Sequence, residues 1–445
     1  MMRSKSGVGA EVPVLADAEP DARVFDVVGV GFGPANLALA IALEESAAEI
    51  DAVFLERRDR FQWHPGMLLP GTTMQISFLK DLATLRNPHS TFSFVSYLAA
   101  RGRLVDFVNR ATLTPERAEF ADYLAWAAGR FDRVVAYGEE VTAIEAAEPT
   151  APAGARFAVR HRGRDGTVST VWARSVVVAR GLQASLPDWA RSNADSGRVF
   201  HAIELLDRVD ELRRRLGGGL DAGRFLVVGG GQSAAEVAAY LHDAGAAVDV
   251  VFRGFGLAAV DESPFVNQIF DPDVVDEFQI APPHVRDDLL RRHANTNYGA
   301  VEHALTEDLF TRWYRERVSG EHRLRVHRTS EVTACGPAAD GLLDVTVRVT
   351  TTGEERTAPF DAAICATGFR PAGLHGLSTA APDGTDVRVA RSHRAVIEGR
   401  EVPGLYVQGA DLTGHGLATT LLSNAAVRAG EIAAALEHDD HEEER

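Results

Sequence analysis

The stretch RFLVVGGGQSAAEVAAYLHDAGAAVDVVFR, residues 224–253, constrains the fold more than any other part of the chain. The apolar run from Phe225 to Val228 predicts a buried strand, and the turn after it leads into a helix with a periodic apolar face. A second apolar run, Val248 to Phe252, completes a βαβ unit of about 30 residues. A lone glycine-rich turn is a weak signal and also occurs in ordinary α/β domains. Strand, turn, helix and strand in this order predict a dinucleotide-binding unit.

The turn and the end of this unit indicate which dinucleotide it binds. Glycines allow a tight turn and the close approach of a pyrophosphate, which lies at the helix N-terminus where free N–H groups favour anions. The predicted contacts of the pyrophosphate are Gly229, Gly231, Gln232 and Ser233. The second strand is followed by Arg253 instead of the acid that holds a ribose 2′-hydroxyl in NAD sites. A cation there suits a 2′-phosphate, so we expect NADPH.

A second fingerprint of this kind lies near the start of the chain. The strand at 25–30 runs into a turn and helix whose predicted cofactor contacts are Gly29, Gly31, Gly33, Pro34 and Asn36. The next strand ends at Glu56, an acid suited to an unphosphorylated ribose. One chain with two nucleotide units of opposite preference predicts FAD on the first and NADPH on the second. Two NAD-type sites in a fused dehydrogenase are the alternative, which Pro34 makes less favourable.

Composition excludes several other classes. The 445 residues predict two or three domains, and a net charge of −17 argues against nucleic acid or an anionic membrane as partner. Two cysteines, Cys335 and Cys365, without a CxxC pair provide neither a disulfide framework nor a zinc site, so no metal is expected. The chain lacks a secretory h-region and any run near the roughly 18 apolar residues of a membrane span. We expect a soluble cytoplasmic protein with disordered tails at 1–22 and 437–445.

A set of motifs along the chain resembles one family, the N-hydroxylating flavin monooxygenases that act on amines. These are notably the L-ornithine N5-monooxygenases of siderophore assembly, with the related L-lysine N6-monooxygenases. The matching pieces, in family order, are WHPGM (63–67), MQISFLKDL (74–82), RNP (86–88), FSFVSYL (92–98), EFADYLAWA (119–127), GGGQSAAE, DESPFVNQIFDP (261–272), NTNYGAV (295–301), ATGFRP (366–371) and HGLATTLLS (415–423). The resemblance covers nearly the whole chain and is very specific.

The resemblance implies an α/β architecture of two Rossmann-like domains with a small, mainly helical substrate-binding region. A discontinuous FAD domain would comprise residues 23–190 and 355–432, and an NADPH domain, 191–354, would be inserted in it. The substrate-binding segment would lie at about 261–320. The family also suggests a homo-oligomer, either a tetramer or a dimer.

The family's chemistry gives expected roles to several side chains. NADPH reduces the flavin, O2 adds at C4a, and the hydroperoxide passes its distal oxygen to a neutral amine, converting L-ornithine to N5-hydroxy-L-ornithine. Gln75 and Asn297 resemble catalytic residues. Flavin or nicotinamide contacts are expected from Trp63, His64, Gln75, Thr367, Gly368 and Leu417. For His64 a purely structural hydrogen bond is an equally good interpretation.

Four residues resemble the family's substrate contacts: Lys80, Asn267, Asn297 and Ser423. Lys80 is the most informative, because a fixed ammonium would pair with the α-carboxylate of an amino acid and reject diamines. Each residue also has an interpretation without a binding role. Lys80 would be an exposed helix lysine, the two asparagines would be turn residues, and Ser423 would be a buried serine bonded to its own helix.

The chain departs from the ornithine pattern at a few positions. Arg180 replaces a small residue, and Ala418 and Thr419 stand where Ser-Asp is usual. Arg291 and Arg292 replace an acid–aromatic pair and could serve a second substrate carboxylate, so L-aspartate, L-lysine or a diamine remain alternative substrates. A flavin disulfide reductase lacks support because no CxxC pair is present. A binding protein without turnover would be colourless when purified.

Overall fold

The computed structural model describes residues 23–443, except 294, 295, 297, 298, 340, 375, 379, 380, 382–384, 386 and 410. Its strands are β1 (Val24–Val30), β2 (Ala52–Glu56), β3 (Val135–Tyr137), β4 (Glu140–Ala146), β5 (Phe157–Arg162), β6 (Val168–Val178), β7 (Leu182–Ala184), β8 (Val199–His201), β9 (Arg224–Val228), β10 (Ala247–Val251), β11 (Ala258–Ala259), β12 (Ala300–Val301), β13 (Leu324–His327), β14 (Ser330–Pro337), β15 (Leu343–Val349), β16 (Glu355–Phe360), β17 (Ala362–Cys365), β18 (Phe369–Pro371), β19 (Val387–Val389), β20 (Arg394–Ile397) and β21 (Arg400–Val407). Its α-helices are α1 (Pro34–Glu44), α2 (Phe94–Ala100), α3 (Leu104–Asn109), α4 (Arg117–Ala128), α5 (Asp188–Arg191), α6 (Leu205–Arg215), α7 (Gln232–Asp243), α8 (Pro264–Asn267), α9 (Val274–Ile280), α10 (Pro283–Arg292), α11 (His303–Ser319), α12 (Leu412–His415) and α13 (Ala425–Glu443).

The first sheet has nine strands, with β19-β20-β21-β6-β1-β2-β3 in order and the antiparallel strands β5 and β4 added beside β6. Its centre is parallel, with β1 between β2 and β6. The centre is rich in β-branched residues, and Val28, Val176 and Val177 are fully buried there, as expected for strands covered on both faces. Helices α1, α2, α4 and α13 contribute to the core on one face of this sheet.

The second sheet is parallel, with the order β13-β10-β9-β17-β8. It corresponds to the predicted NADPH unit, but the predicted domain end at residue 354 is wrong. β17 (362–365) pairs with both β9 and β8 and therefore lies inside this sheet. Ala362 to Cys365 are completely buried in this position, as expected for a strand inside a parallel sheet.

Two antiparallel strands mark the passage between the sheets. β7 follows the first sheet's β6, and β18 follows the second sheet's β17. They pair with each other, with Phe369 opposite Ala184 and Pro371 opposite Leu182. The chain therefore leaves the first sheet and returns toward it along one narrow ribbon.

The C-terminal end differs from the expected disordered tail at 437–445. Helix α13 continues to Glu443. Glu437 accepts a 2.5 Å hydrogen bond from the Ser46 hydroxyl, and Asp439 accepts one of 2.7 Å from Tyr406 and pairs with Arg394. Acidic residues that looked fully solvated in the sequence thus fasten the helix to the first sheet.

Among the described residues, no helix combines the length and the apolar composition that a membrane span requires. Likewise, those residues contain no group of three or more His, Cys, Asp or Glu side chains arranged to hold a metal ion.

Candidate functional site

The first glycine turn joins β1 to α1 in a geometry that larger residues could not adopt. Gly31 has φ +83°, and a Cβ there would lie 2.8 Å from the carbonyl oxygen of Ala179. A Cβ on Gly29 would lie 2.1 Å from the ring of Phe54. By contrast, a Cβ on Gly33 would meet no atom within 4 Å, so this face of the turn is open. With Pro34 beginning the helix, the open face presents a helix N-terminus to an incoming phosphate.

Asn36 is fully buried and stabilises this turn. Its Nδ2 donates to the carbonyl of Gly31 at 2.7 Å, and its Oδ1 accepts from Nε2 of Gln408 at 3.0 Å. Arg428 in turn donates to Oε1 of Gln408 at 3.3 Å. Asn36 therefore stabilises the turn from its buried side. It does so together with Gln408 and Arg428, which lie near the other end of the chain and which sequence reasoning missed.

Glu56 lies at the end of β2 beside the same turn. Its Oε2 accepts the backbone N–H of Phe32 at 2.7 Å and its Oε1 accepts that of Arg58 at 2.9 Å. A carboxylate offers about four lone-pair sites, so acceptor capacity remains for ribose hydroxyls.

A cleft of about 650 Å³ opens near this end of the first sheet, a volume within the usual range for small-molecule sites. It is lined by Arg57, Arg58, Asp59, Arg60, Gln62, Gly138, Glu140, Arg162, Gly163 and Arg164. Arg180 lies close enough to Arg57 and Glu140 for their charges to act on it. Burial, followed by the charge of Arg57, lowers the pKa of Arg180, and the charge of Glu140 raises it. The unexplained departure at 180 thus adds a cation near this cleft.

The second glycine turn joins β9 to α7. Gly229 has φ +145°, and a Cβ there would lie 2.3 Å from the carbonyl oxygen of Ala366. Gly231 precedes the helix, and Ser233 lies half-buried in its first turn. The side chain of Gln232 is used within the protein, because it donates to Glu236 at 2.9 Å and accepts from the N–H of Glu302 at 2.8 Å.

Arg253 follows β10 and is exposed. Among the residues that the structure describes, it has no ion-pair partner. Its position and its available charge fit the predicted contact with a 2′-phosphate.

Thr367 and Gly368 lie exposed between β17 and β18. The hydroxyl of Thr367 donates to the carbonyl of Ser185 at 2.5 Å, and His201 donates to the carbonyl of Gly368 at 3.1 Å. Because Ala366 packs closely against Gly229, the structure brings these two predicted cofactor contacts next to the second glycine turn.

The turn after Trp63 meets the second sheet's layer. His64 has φ +44° and its ring lies 5.1 Å from that of Trp63. Burial lowers the pKa of His64 to about 4, and the charges of Arg117 and Arg58 act in the same direction. His64 is therefore neutral at neutral pH, which supports a structural role.

Arg117, at the start of α4, forms an ion pair that the sequence gave no means to find. Its two terminal nitrogens donate to Glu236 of α7 at 2.8 and 2.7 Å, and one also donates to the carbonyl of Met67 at 3.2 Å. Both side chains are nearly buried. The pair connects the helix behind the second glycine turn to the WHPGM segment.

Gln75 and Lys80 lie in the loop that connects the WHPGM segment to α2. Gln75 is exposed, and its amide has no hydrogen-bond partner in the described part of the chain. Lys80 is half-buried two residues after Phe78, whose ring packs 5.3 Å from that of Phe107. The Lys80 ammonium has no ion-pair partner within the described ranges.

Two of the remaining predicted substrate residues, Asn267 and Ser423, lie in neighbouring segments. Asn267 donates to the carbonyl of Glu262 at 3.1 Å, so its amide is used in its own segment. That segment packs next to Ser423, because Asn424 donates to the carbonyl of Phe270 at 2.9 Å. Ser423 is 2% exposed and its hydroxyl has no partner among the described atoms. Asn297 lies outside the described residues.

Ala418 and Thr419, the departures from the family pattern that follow Leu417, line a small cavity. Leu417, Ala418 and Thr419 are all buried. The cavity, of about 30 Å³, is lined in part by Ala418, Thr419 and His415, and both ring nitrogens of His415 lack a partner among described atoms. This volume and these polar groups suit one ordered water.

Arg291 and Arg292 form ion pairs within their own helix. Both are largely exposed and pair with Asp288 of their own helix, at 3.0 and 2.5 Å. The structure therefore gives no support to a second substrate carboxylate bound by these arginines.

The chain has extensive similarity to known proteins. The L-lysine 6-monooxygenase/L-ornithine 5-monooxygenase family matches residues 23–371. The L-ornithine N(5)-monooxygenase of Pseudomonas aeruginosa is 38% identical over 431 residues, with 95% of this chain and 96% of that relative covered. That of Burkholderia cepacia is 40% identical over 408 residues, with 89% and 90% covered. The structure of an ornithine N-hydroxylase from Kutzneria sp. 744 with reduced FAD, NADP+ and L-ornithine has 39% identity and a TM-score of 0.86, covering 94% of this chain and 100% of that one. These similarities confirm the predicted fold class.

Proposed function

The chain belongs to the L-lysine 6-monooxygenase/L-ornithine 5-monooxygenase family, and we propose that it uses FAD, NADPH and O2 to hydroxylate the terminal amine of L-ornithine. The product, N5-hydroxy-L-ornithine, is a precursor for hydroxamate siderophores or related natural products. Reduced FAD supplies the oxygen-activating chemistry when it is bound. The protein's own contribution is to bind, to orient and to exclude water.

The first glycine turn fits the FAD pyrophosphate. Gly33 leaves its face open, α1 presents its N-terminus, and Glu56 has acceptor capacity for an unphosphorylated ribose. The second turn fits NADPH, with Gly229 closely packed beneath it and Arg253 exposed beyond β10. The contact between Gly229 and Ala366 supports a nicotinamide position near Thr367 and Gly368, on the side of the chain's return to the first sheet.

Lys80 is the observation that carries the substrate proposal. The chain has 46 basic residues but only two lysines, Lys5 and Lys80. Nearly all the other basic residues of this chain are arginines. Lys80 instead carries a compact ammonium on a flexible stem, and the two cations differ in shape and hydration. A half-buried ammonium without an ion-pair partner in the described residues suits the α-carboxylate of an amino acid. Diamines could not supply that carboxylate.

A substrate panel tests this proposal. We expect the yellow purified enzyme to oxidise NADPH and release mostly hydroxylated amine with L-ornithine, and mostly hydrogen peroxide with L-lysine, L-aspartate and 1,4-diaminobutane. Lys80→Ala should raise the KM for L-ornithine about 10- to 100-fold, the effect of losing a charged hydrogen bond, with the KM for NADPH almost unchanged.

The lysines also provide an internal control. Amine-acylating reagents should label both Lys5 and Lys80, and L-ornithine should protect only Lys80, as read by mass spectrometry. Product from L-aspartate with only peroxide from L-ornithine would refute the substrate. An unchanged KM in Lys80→Ala would remove Lys80 from the pocket, and a colourless protein would support a binding function without turnover.

The state of the protein in the cell is part of the same proposal. We expect a cytoplasmic homo-oligomer, either a dimer or a tetramer. Helix α11 has an exposed apolar stripe with helical spacing, formed by Phe310, Tyr314 and Val318, which is a suitable surface for a second copy.

A further inference from the structure

Asp81 is a buried carboxylate beside the proposed substrate anchor. Asp81 is 1% exposed. Its carboxylate accepts four hydrogen bonds. Oδ1 accepts the backbone N–H groups of Ala83 at 2.9 Å and Thr84 at 2.6 Å. Oδ2 accepts the Thr84 hydroxyl at 2.8 Å and the backbone N–H of Phe94 at 2.7 Å.

These bonds join two pieces of chain. The first three close the turn that begins at Asp81, and the fourth attaches that turn to the first residue of α2. A second attachment comes from Tyr123, whose hydroxyl accepts the N–H of Leu82 at 3.1 Å and donates to the carbonyl of Phe92 at 2.9 Å. Tyr123 is fully buried, so the turn is fixed to α4 as well.

Lys80 immediately precedes this turn, and its own N–H donates to the carbonyl of Ser77 at 2.9 Å. A lysine side chain is long and flexible, and here no ion pair with a described residue holds its ammonium. The fold can therefore control the position of the ammonium mainly through the backbone from which it extends.

We propose that Asp81 is a positioning residue whose carboxylate fixes the turn carrying Lys80 and so places the ammonium for the substrate's carboxylate, an inference that rests on the proposed function. Asp81 itself does not touch substrate. It acts through Lys80, because all four of its acceptor contacts are used within the protein.

The carboxylate is needed because both oxygens face donors. An asparagine has the same shape but replaces one oxygen with an NH2 group. In either orientation of the amide, this group would face at least one backbone N–H, and the turn would have to shift. Displacements of about 1 Å at positioning residues can reduce catalysis about 100-fold.

A double-mutant cycle tests the proposal, with L-ornithine and 1,4-diaminobutane as substrates that differ only in the carboxylate. We expect Asp81→Asn to lower the ratio of their kcat/KM values about tenfold, mainly through the KM for L-ornithine. Lys80→Ala should lower it at least as far, and the double variant should show no further fall, because both changes remove the same interaction. An equal loss for both substrates, or multiplicative effects of the two changes, would mean that Asp81 is merely structural.

Two further variants control for folding. Asp106→Asn changes an exposed acid on α3 and should leave the ratio unchanged. If Asp81→Asn does not fold, Tyr123→Phe removes only one hydroxyl, which bonds both Leu82 and Phe92, and the ratio should fall in the same direction.

A measurement without substrate separates this inference from the proposed function. In Asp81→Asn the amides of Ala83, Thr84 and Phe94 should exchange hydrogen faster, and acylation of Lys80 should change severalfold while that of Lys5 stays constant. Unchanged exchange and unchanged labelling would overturn the inference even if L-ornithine is hydroxylated. Changed exchange and labelling in an enzyme that ignores L-ornithine would instead refute the proposed function.

Discussion

At the scale of single residues, the Arg253 guanidinium stands where the 2′-substituent of a coenzyme would reach the end of β10. The side chain is exposed and has no ion-pair partner in the part of the chain that the structure describes. A 2′-phosphate would therefore meet an available cation, whereas a 2′-hydroxyl would gain little from it.

We expect Arg253→Ala to reduce the preference for NADPH over NADH by about tenfold or more, since charged hydrogen bonds contribute about 1.5–3 kcal/mol. The measurement is the ratio of kcat/KM values for the two coenzymes. Arg328, which is also exposed and lies over the Phe255 ring at 4.4 Å, is the comparison variant. An unaltered ratio in Arg253→Ala, with a lowered one in Arg328→Ala, would place the 2′-phosphate at Arg328.

How far residues could be predicted depended on how local their interactions are. The glycines of both turns were predictable, because a turn that requires positive φ or close backbone packing selects glycine within a few positions. The functions of Asn36 and Gln232 were not, since each depends on partners elsewhere, Gln408 and Glu302. Asp81 gave no signal because acids adjacent to lysine are common on exposed loops.

At the scale of elements, α13 shows how a helix can be held by its acids. Glu431 accepts from His393 at 2.7 Å and from Arg391 at 2.9 Å. Burial alone would raise the pKa of Glu431, but the His393 and Arg391 contacts outweigh it and lower the pKa to about 2. Further along, Asp439 contacts Tyr406. The sequence alone suggested a solvated tail because charge runs are usually solvated, and these partners lie far away in the chain.

This lowered pKa predicts a pH-dependent stability. A carboxyl group whose pKa is lower in the folded state stabilises the fold above its ordinary value of 4.5, and this contribution disappears as the pH falls toward 2. We expect Glu431→Gln to be less stable by about 1 kcal/mol at pH 7, a value reduced for solvent screening of a partly exposed side chain. The difference from wild type should vanish near pH 2.

Thermal unfolding between pH 2 and 7 provides the measurement. Glu398→Gln, at an exposed position in the neighbouring turn, is the control and should follow the wild-type curve. A constant difference between Glu431→Gln and wild type at all pH values would contradict the linkage.

At the scale of the whole molecule, the Arg117–Glu236 pair joins the layers built on the two sheets. Its two hydrogen bonds are 2.8 and 2.7 Å, and the side chains of Arg117 and Glu236 are only 14% and 5% exposed. Sequence reasoning could identify each layer by its periodicity and turns. It could not predict a contact between residues 119 positions apart, nor that β17 would insert between β9 and β8.

We expect Glu236→Gln to destabilise the protein by about 3 kcal/mol, because removing one partner leaves the charge of Arg117 buried without compensation. Glu44→Gln breaks the exposed Arg133–Glu44 pair and should cost less than about 1 kcal/mol. Melting temperatures of both variants and of Arg117→Gln/Glu236→Gln provide the comparison. Equal shifts for the buried and exposed pairs would show that this contact between the two layers is dispensable.

The ribbon of β7 and β18 has an evolutionary consequence. Because the outgoing and incoming strands are hydrogen-bonded neighbours, the ends of the intervening module are already adjacent. Exchanging everything between Ala184 and Phe369 for another nucleotide module would leave the host's chain path unchanged and add little loop-closure entropy. A new electron donor could thus be acquired by transplanting one contiguous gene segment, provided that the new segment restores the contacts to Arg117 and Asn424.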